Sequence, residues 1–148
     1  MCSSDLPSAE AEAGVEELRS HGVRSIFTVG FCFGGRSSWL AAASGHGLAG
    51  AIGFYGRPGE RDGVPGAAER AAELEAPILA LQAGADQNIT AADNRAFEDA
   101  LSAADVEHEI VTYEGAPHSF FDRKQEQFAD ASDDAWKRVL AFIEKHRA

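Results

Sequence analysis

Three residues of this 148-residue chain have the types and spacing to carry out acyl transfer: Cys32, Asp86 and His118. Cys32 stands in GFCFGG (30–35), a G-x-C-x-G-G run placed straight after an apolar stretch and before a helical one. That is the nucleophile-elbow pattern with cysteine in place of serine. Gly30 and Gly34 are expected to omit side chains where strand and helix come close, leaving Cys32 at the tip of a strained turn. The helix that follows turns its N-terminal dipole toward the sulfur and favours the thiolate. The amide of Phe33 points to where an oxyanion would form. A buried structural cysteine in a glycine-rich turn is the plainer alternative.

A nucleophile of this kind needs a base and an acid that orients it. LQAGADQNI (81–89) places Asp86 just past one apolar run, and YEGAPHSFF (113–121) places His118 just past another. The order Cys, Asp, His is that of an α/β-hydrolase. Asp122 competes with Asp86 but shares the loop of His118 with no strand to fix it, so it ranks lower. His21 and His46 lie at helix ends beside glycine, His108 within a strand among acids, and His146 in the last helix. These four read as structural or solvated.

The elements that position the three residues follow from periodicity. PSAEAEAGVEELRSHG (7–22) reads as a helix with Ala11, Val15 and Leu18 on one face. SIFTVGF (25–31) reads as a buried strand, and a second helix from Gly34 turns Trp39 and Leu40 inward, ending at Gly45 and Gly47. LAGAIGFYG (48–56) and PILALQAG (77–84) are further buried strands. Between them lie a Gly/Pro-rich loop (57–66) and a short helix, AAERAAELEA (67–76). Thr90 and Asp93 form a capping signature for a helix carrying Phe97 and Leu101. VEHEIVTYEG (106–115), with polar residues mixed in, suits an edge strand. A final helix from about Asp130 carries Trp136, Val139, Leu140 and Ile143 at i, i+3, i+4, i+7, with Lys145 and Arg147 near its C-terminal end. The alternation predicts an α/β fold of about four parallel strands flanked by helices.

GFCFGG, GADQNI and GAPHSFFDR together resemble the dienelactone hydrolase family of α/β-hydrolases, from about Pro7 to the C-terminus. The resemblance implies Cys32 as nucleophile, His118 as base and Asp86 as its partner. It implies no metal or organic cofactor, a cytoplasmic setting, and cleavage of small esters or lactones, with carboxymethylenebutenolidase activity the best known. Family members carry several strands before the elbow strand, which supply a second oxyanion donor, an acid near the resting cysteine and part of the pocket. The chain is therefore expected to be the C-terminal part of such a fold, one domain over 7–148, and feebly active as it stands. Residues 1–6, MCSSDL, are expected to be a non-native or disordered tail. Family enzymes also hold a substrate carboxylate through arginines. Arg123, one residue out of place, and Arg57 are weak candidates for that role, as are Tyr55 and Phe120 for the pocket wall.

Composition narrows the field further. Thirteen basic against 24 acidic residues give a net charge of −11, which offers no basic stripe for nucleic acid. The acidity serves solubility. No apolar run has the length of a membrane span. Cys2 and Cys32 show no metal-ligand spacing, and a disulfide to a terminal residue is not expected. Three other readings stay open: a related carboxylesterase or acyltransferase, a non-enzymatic module of the same fold, and a redox-sensing thiol for which Cys2 would be a poor resolving partner.

Overall fold

The computed structural model describes residues 5–147. Helix α1 (Asp5–Ser20) leads into β1 (Phe27–Phe31), α2 (Phe33–Ala41) and β2 (Gly50–Phe54), and then into β3 (Ile78–Ala83), α3 (Ala91–Ala103), β4 (His108–Tyr113) and α4 (Ala129–His146). The four strands form one parallel sheet in the order β1-β2-β3-β4. Side chains alternate across a strand, and β3 shows it. Ile78 and Ala80 join a core with Trp39, Phe97 and Leu101 from α2 and α3. Leu79 and Leu81 join a second core with Ile52, Phe54, Val139 and Phe142, which belongs to α4. The layers are helix, sheet, helix. As expected for covered central strands, β2 and β3 are buried along their whole length.

Thr90 and Asp93 make the reciprocal capping box at the start of α3, and Phe97 and Leu101 are wholly buried. β4 lies at one edge, as its mixed composition suggests. β1 lies at the other, and Val29 is 56% exposed. The first strand is therefore not a buried one. Phe27, Val29 and Phe31 share a face by alternation, and the rows of β2 and β3 nearest them are what α4 covers.

Other expectations are corrected. Residues 67–76 form turns and a single 3-10 turn, Ala71–Glu73, in place of an α-helix. Their backbone donors are drawn to distant acceptors: Ala68 N–H donates to the Pro58 carbonyl and Glu75 N–H to that of Ala42. This seats Ala67, Ala71 and Leu74 in the core, so tertiary packing overrides a good local propensity. In α4 the buried row is Ser132, Ala135, Val139 and Phe142, while Trp136 and Leu140 are 49% and 50% exposed. The helix is turned by about one residue from the expected face because the small Ser132 and Ala135 permit close approach to the sheet. Leu18 of α1 is likewise exposed. The first helix begins at Asp5; residues 1–4, which hold Cys2, lie outside the described residues.

His108 fastens α3 to β4. Its Nδ1 faces the Val106 carbonyl at 2.7 Å and its Nε2 the Glu98 carboxylate at 3.0 Å. Both neighbours are acceptors, so only the protonated ring satisfies both. Burial alone would lower its pKa, but the Val106 carbonyl and Glu98 outweigh it and raise it. A raised folded-state pKa gives stability that is full below the unfolded value, about 6.5, and lost as pH rises through the folded one. The melting temperature of His108→Gln should therefore fall further below that of the parent at pH 5.5 than at pH 8.5, as read by thermal unfolding.

Candidate active site

The turn from β1 into α2 is built by two glycines. A Cβ on Gly30 would lie 2.0 Å from the Gly34 carbonyl oxygen, and one on Gly35 would lie 2.7 Å from that of Phe54. Gly34 itself has open space around it. The pair that lets strand and helix approach is thus Gly30 and Gly35, not Gly30 and Gly34. At the tip Cys32 takes φ 58°, ψ −121°, a conformation that non-glycine residues adopt only when their surroundings enforce it. Three bonds do so. Cys32 N–H donates to the Phe54 carbonyl at 3.0 Å, and the Cys32 carbonyl accepts from the N–H groups of Gly35 and Arg36. Phe33 is the first residue of α2, where the amide has no acceptor within the helix. Its side chain is half exposed.

The other two residues come from the turns after β3 and β4, and those turns are tied together. Gly84 N–H donates to the Tyr113 carbonyl at 2.8 Å and Ala85 N–H to that of Ala116 at 2.9 Å. Asp86 and His118 follow these ties directly. His118 Nδ1 lies 2.5 Å from Asp86 Oδ2, and Asp86 Oδ1 accepts from Asn88 N–H at 2.9 Å. The Asp86 carboxylate, an acceptor, sets the proton on Nδ1. His118 Nε2 then faces Cys32 Sγ at 3.1 Å. The Asp86 side chain is 1% exposed and that of His118 39%, so the acid is sealed while the imidazole meets solvent. Cys32, Asp86 and His118 form one connected chain of hydrogen-bonding groups.

Asp122 is engaged elsewhere. The Tyr55 hydroxyl donates to its carboxylate in a short hydrogen bond and accepts from the Asp122 N–H at 3.2 Å. Burial first, then the bond to Asp122, raises the Tyr55 pKa well above the ordinary phenol range. The Tyr55 ring packs 5.0 Å from that of His118. Tyr55 and Phe120, expected as pocket walls, are fully buried. Their rings meet edge to face with centroids 5.4 Å apart. Arg123 is exposed. Arg57 donates to the Glu60 carbonyl and, at 3.3 Å, to that of Asn88. A surface cleft of about 720 Å³ between 113–116 and 126–134 includes none of the three linked residues.

Two contributors escape sequence reasoning. Arg36, one turn into α2, is buried and donates to the carbonyls of Arg57, Gly59 and Val64. Burial lowers its pKa, and Glu69 partly restores it. It pins the 57–64 loop to the elbow helix. Its position three residues before Trp39 is the one available signal, since that spacing puts a cation on the inward face. Ser119 is the second: φ 68° brings its Oγ 3.7 Å from Cys32 Sγ.

The family model described as the dienelactone hydrolase family matches residues 5–147. The chain belongs to the dienelactone hydrolase family. A protein of Escherichia coli (strain K12) named "Putative carboxymethylenebutenolidase" is 30% identical over 151 residues, covering 95% of this chain and 56% of its own length. A crystal structure from Klebsiella pneumoniae, named "Putative Dienelactone Hydrolase", superposes with a TM-score of 0.72 at 34% identity, over 78% of this chain and 50% of that one. A puromycin-hydrolyzing peptidase of Mycobacterium tuberculosis shares the fold at 15% identity, with a TM-score of 0.76 over 95% of this chain and 25% of its own. The chain spans about half the length of the curated relatives it matches. No described helix of this family member is long and apolar enough to cross a membrane.

The glycine geometry gives a paired prediction. Gly30→Ala forces backbone apart by more than 1 Å and should abolish cooperative unfolding. Gly34→Ala has room and gains helix propensity, and should change stability by no more than about 1 kcal/mol, upward. Urea unfolding of the two variants beside the parent checks both.

Proposed function

We propose that the protein is a carboxylic ester hydrolase of the carboxymethylenebutenolidase kind, opening small esters or lactones through a Cys32–His118–Asp86 triad and a thioester intermediate. The observation that carries this reading is the 3.1 Å approach of His118 Nε2 to Cys32 Sγ, with Asp86 on the opposite ring nitrogen. His118 takes the proton of Cys32 at Nε2, and the resulting thiolate attacks the carbonyl carbon. The carbonyl π pair moves to oxygen, where the Phe33 amide donates to it. Collapse of the tetrahedral intermediate expels the alkoxide, which takes the proton from His118 Nε2. Water then attacks the thioester while giving a proton to His118. The thiolate leaves as the acid is released, restoring the ion pair. Asp86 orients the ring and stabilises its cationic form.

No metal or organic cofactor enters these steps. The substrate is a small-molecule ester or lactone, with the reaction run in a reducing cytoplasm that keeps Cys32 unpaired. A carboxylesterase or acyltransferase of the same fold would use the same three residues, and a substrate panel separates it from a lactonase.

The test is acylation of the chain by p-nitrophenyl acetate. A burst of p-nitrophenolate should accompany an acetyl-sized mass increase on the peptide that contains Cys32. Cys32→Ala should lose both. His118→Ala and Asp86→Asn should slow the burst on the order of 10²- to 10⁴-fold. Acetylation confined to other residues, or a burst indifferent to all three substitutions, would overturn the reading.

A further inference from the structure

We propose that Ser119 is a further catalytic residue, its hydroxyl donating a second hydrogen bond to the Cys32 thiolate beside that of His118. The proposal rests on the hydrolase reading above and deepens it. Ser119 Oγ lies 3.7 Å from Cys32 Sγ, within reach for a bond to the large sulfur atom. A thiolate only accepts, so the hydroxyl must be the donor once the sulfur is ionised.

The backbone supports a placed side chain. Ser119 has φ 68°, in the left-handed region that glycine takes freely and serine does not. The turn after it holds the residue there, because the Ser119 carbonyl accepts from the N–H groups of Arg123 and Lys124 at 3.1 and 3.2 Å. A serine kept against its own backbone preference, with its hydroxyl on the nucleophile, is strain located at a working site.

The chemistry gives the hydroxyl a task that His118 cannot complete alone. His118 loses its proton to the departing alkoxide and is a base when water attacks the thioester. Ser119 carries a donor through both steps, so the sulfur that must leave as thiolate meets a hydrogen bond already in place. The titratable groups facing the sulfur are His118, with Asp86 behind it, and Tyr55, whose proton is held by burial and by Asp122.

Alkylation by iodoacetamide tests this directly, in a Cys2→Ser background so that Cys32 alone reports. At pH 7 Ser119→Gly should react about 3- to 10-fold more slowly than the parent, the loss expected for one charge-assisted hydrogen bond. At high pH, where the thiol is fully ionised, the two rates should converge or the variant should be faster. The variant should also melt no lower than the parent, since glycine relieves the strained φ; lower reactivity without lower stability excludes mere unfolding. Superimposable rate–pH curves for parent and Ser119→Gly would overturn the proposal. His118→Ala run alongside separates the two claims. If it shifts the curve and Ser119→Gly does not, only the serine's role fails; if neither shifts it, the triad reading fails too.

Discussion

The site depends on how closely β1 and α2 meet. With no side chain on Gly30 or Gly35, the backbone of the elbow lies against the Gly34 and Phe54 carbonyls. That contact turns the chain by one residue, Cys32, whose conformation is then enforced by bonds to its N–H and its carbonyl. Everything else takes its place relative to this turn. The sulfur's height above the sheet sets where His118 must reach. The direction of α2 sets where the Phe33 amide points. Arg36, carried on the same first turn, fixes the 57–64 loop beside it.

A second constraint brings the partners to that fixed point. In a parallel sheet all strands end on one side, so the turns after β3 and β4 are neighbours by construction. The bond from Ala85 N–H to the Ala116 carbonyl converts that proximity into a defined distance. The buried Asp86 and the partly exposed His118 differ in environment: one is shielded so that its charge acts on the imidazole, the other is open to solvent.

The sequence made the local features legible and left the long-range ones hidden. Cys32, Asp86 and His118 each sit just past an apolar run, and a parallel sheet gathers such positions at one edge, so their meeting follows from pattern alone. The Thr90–Asp93 cap could be read for the same reason: it spans one helical turn. The Tyr55–Asp122 pair joins residues 67 apart, and nothing in FYG or FFDR announces it. Periodicity misjudged α4 because Trp136 and Leu140 are more apolar than Ser132 and Ala135, while close packing selects for small size as much as for hydrophobicity. It misjudged 67–76 because distant carbonyls claimed the amides that a helix would have used. Gly34 was credited with a contact that Gly35 makes, since a doublet does not say which member faces the neighbour.

The two tryptophans, alike in the sequence, occupy opposite optical environments. Trp39 is wholly buried, donates its indole N–H to the Leu79 carbonyl at 3.1 Å, and lies 5.0 Å from the ring of Phe97. Trp136 is half exposed, with its ring tilted against that of Phe121 at 6.3 Å, three residues beyond His118. The indole emission of the chain is therefore a sum of two reporters. A blue, quencher-resistant component follows the integrity of the sheet beneath the elbow. A red, quencher-accessible one follows the segment that carries the His118 imidazole, so selective quenching separates motion there from melting of the fold.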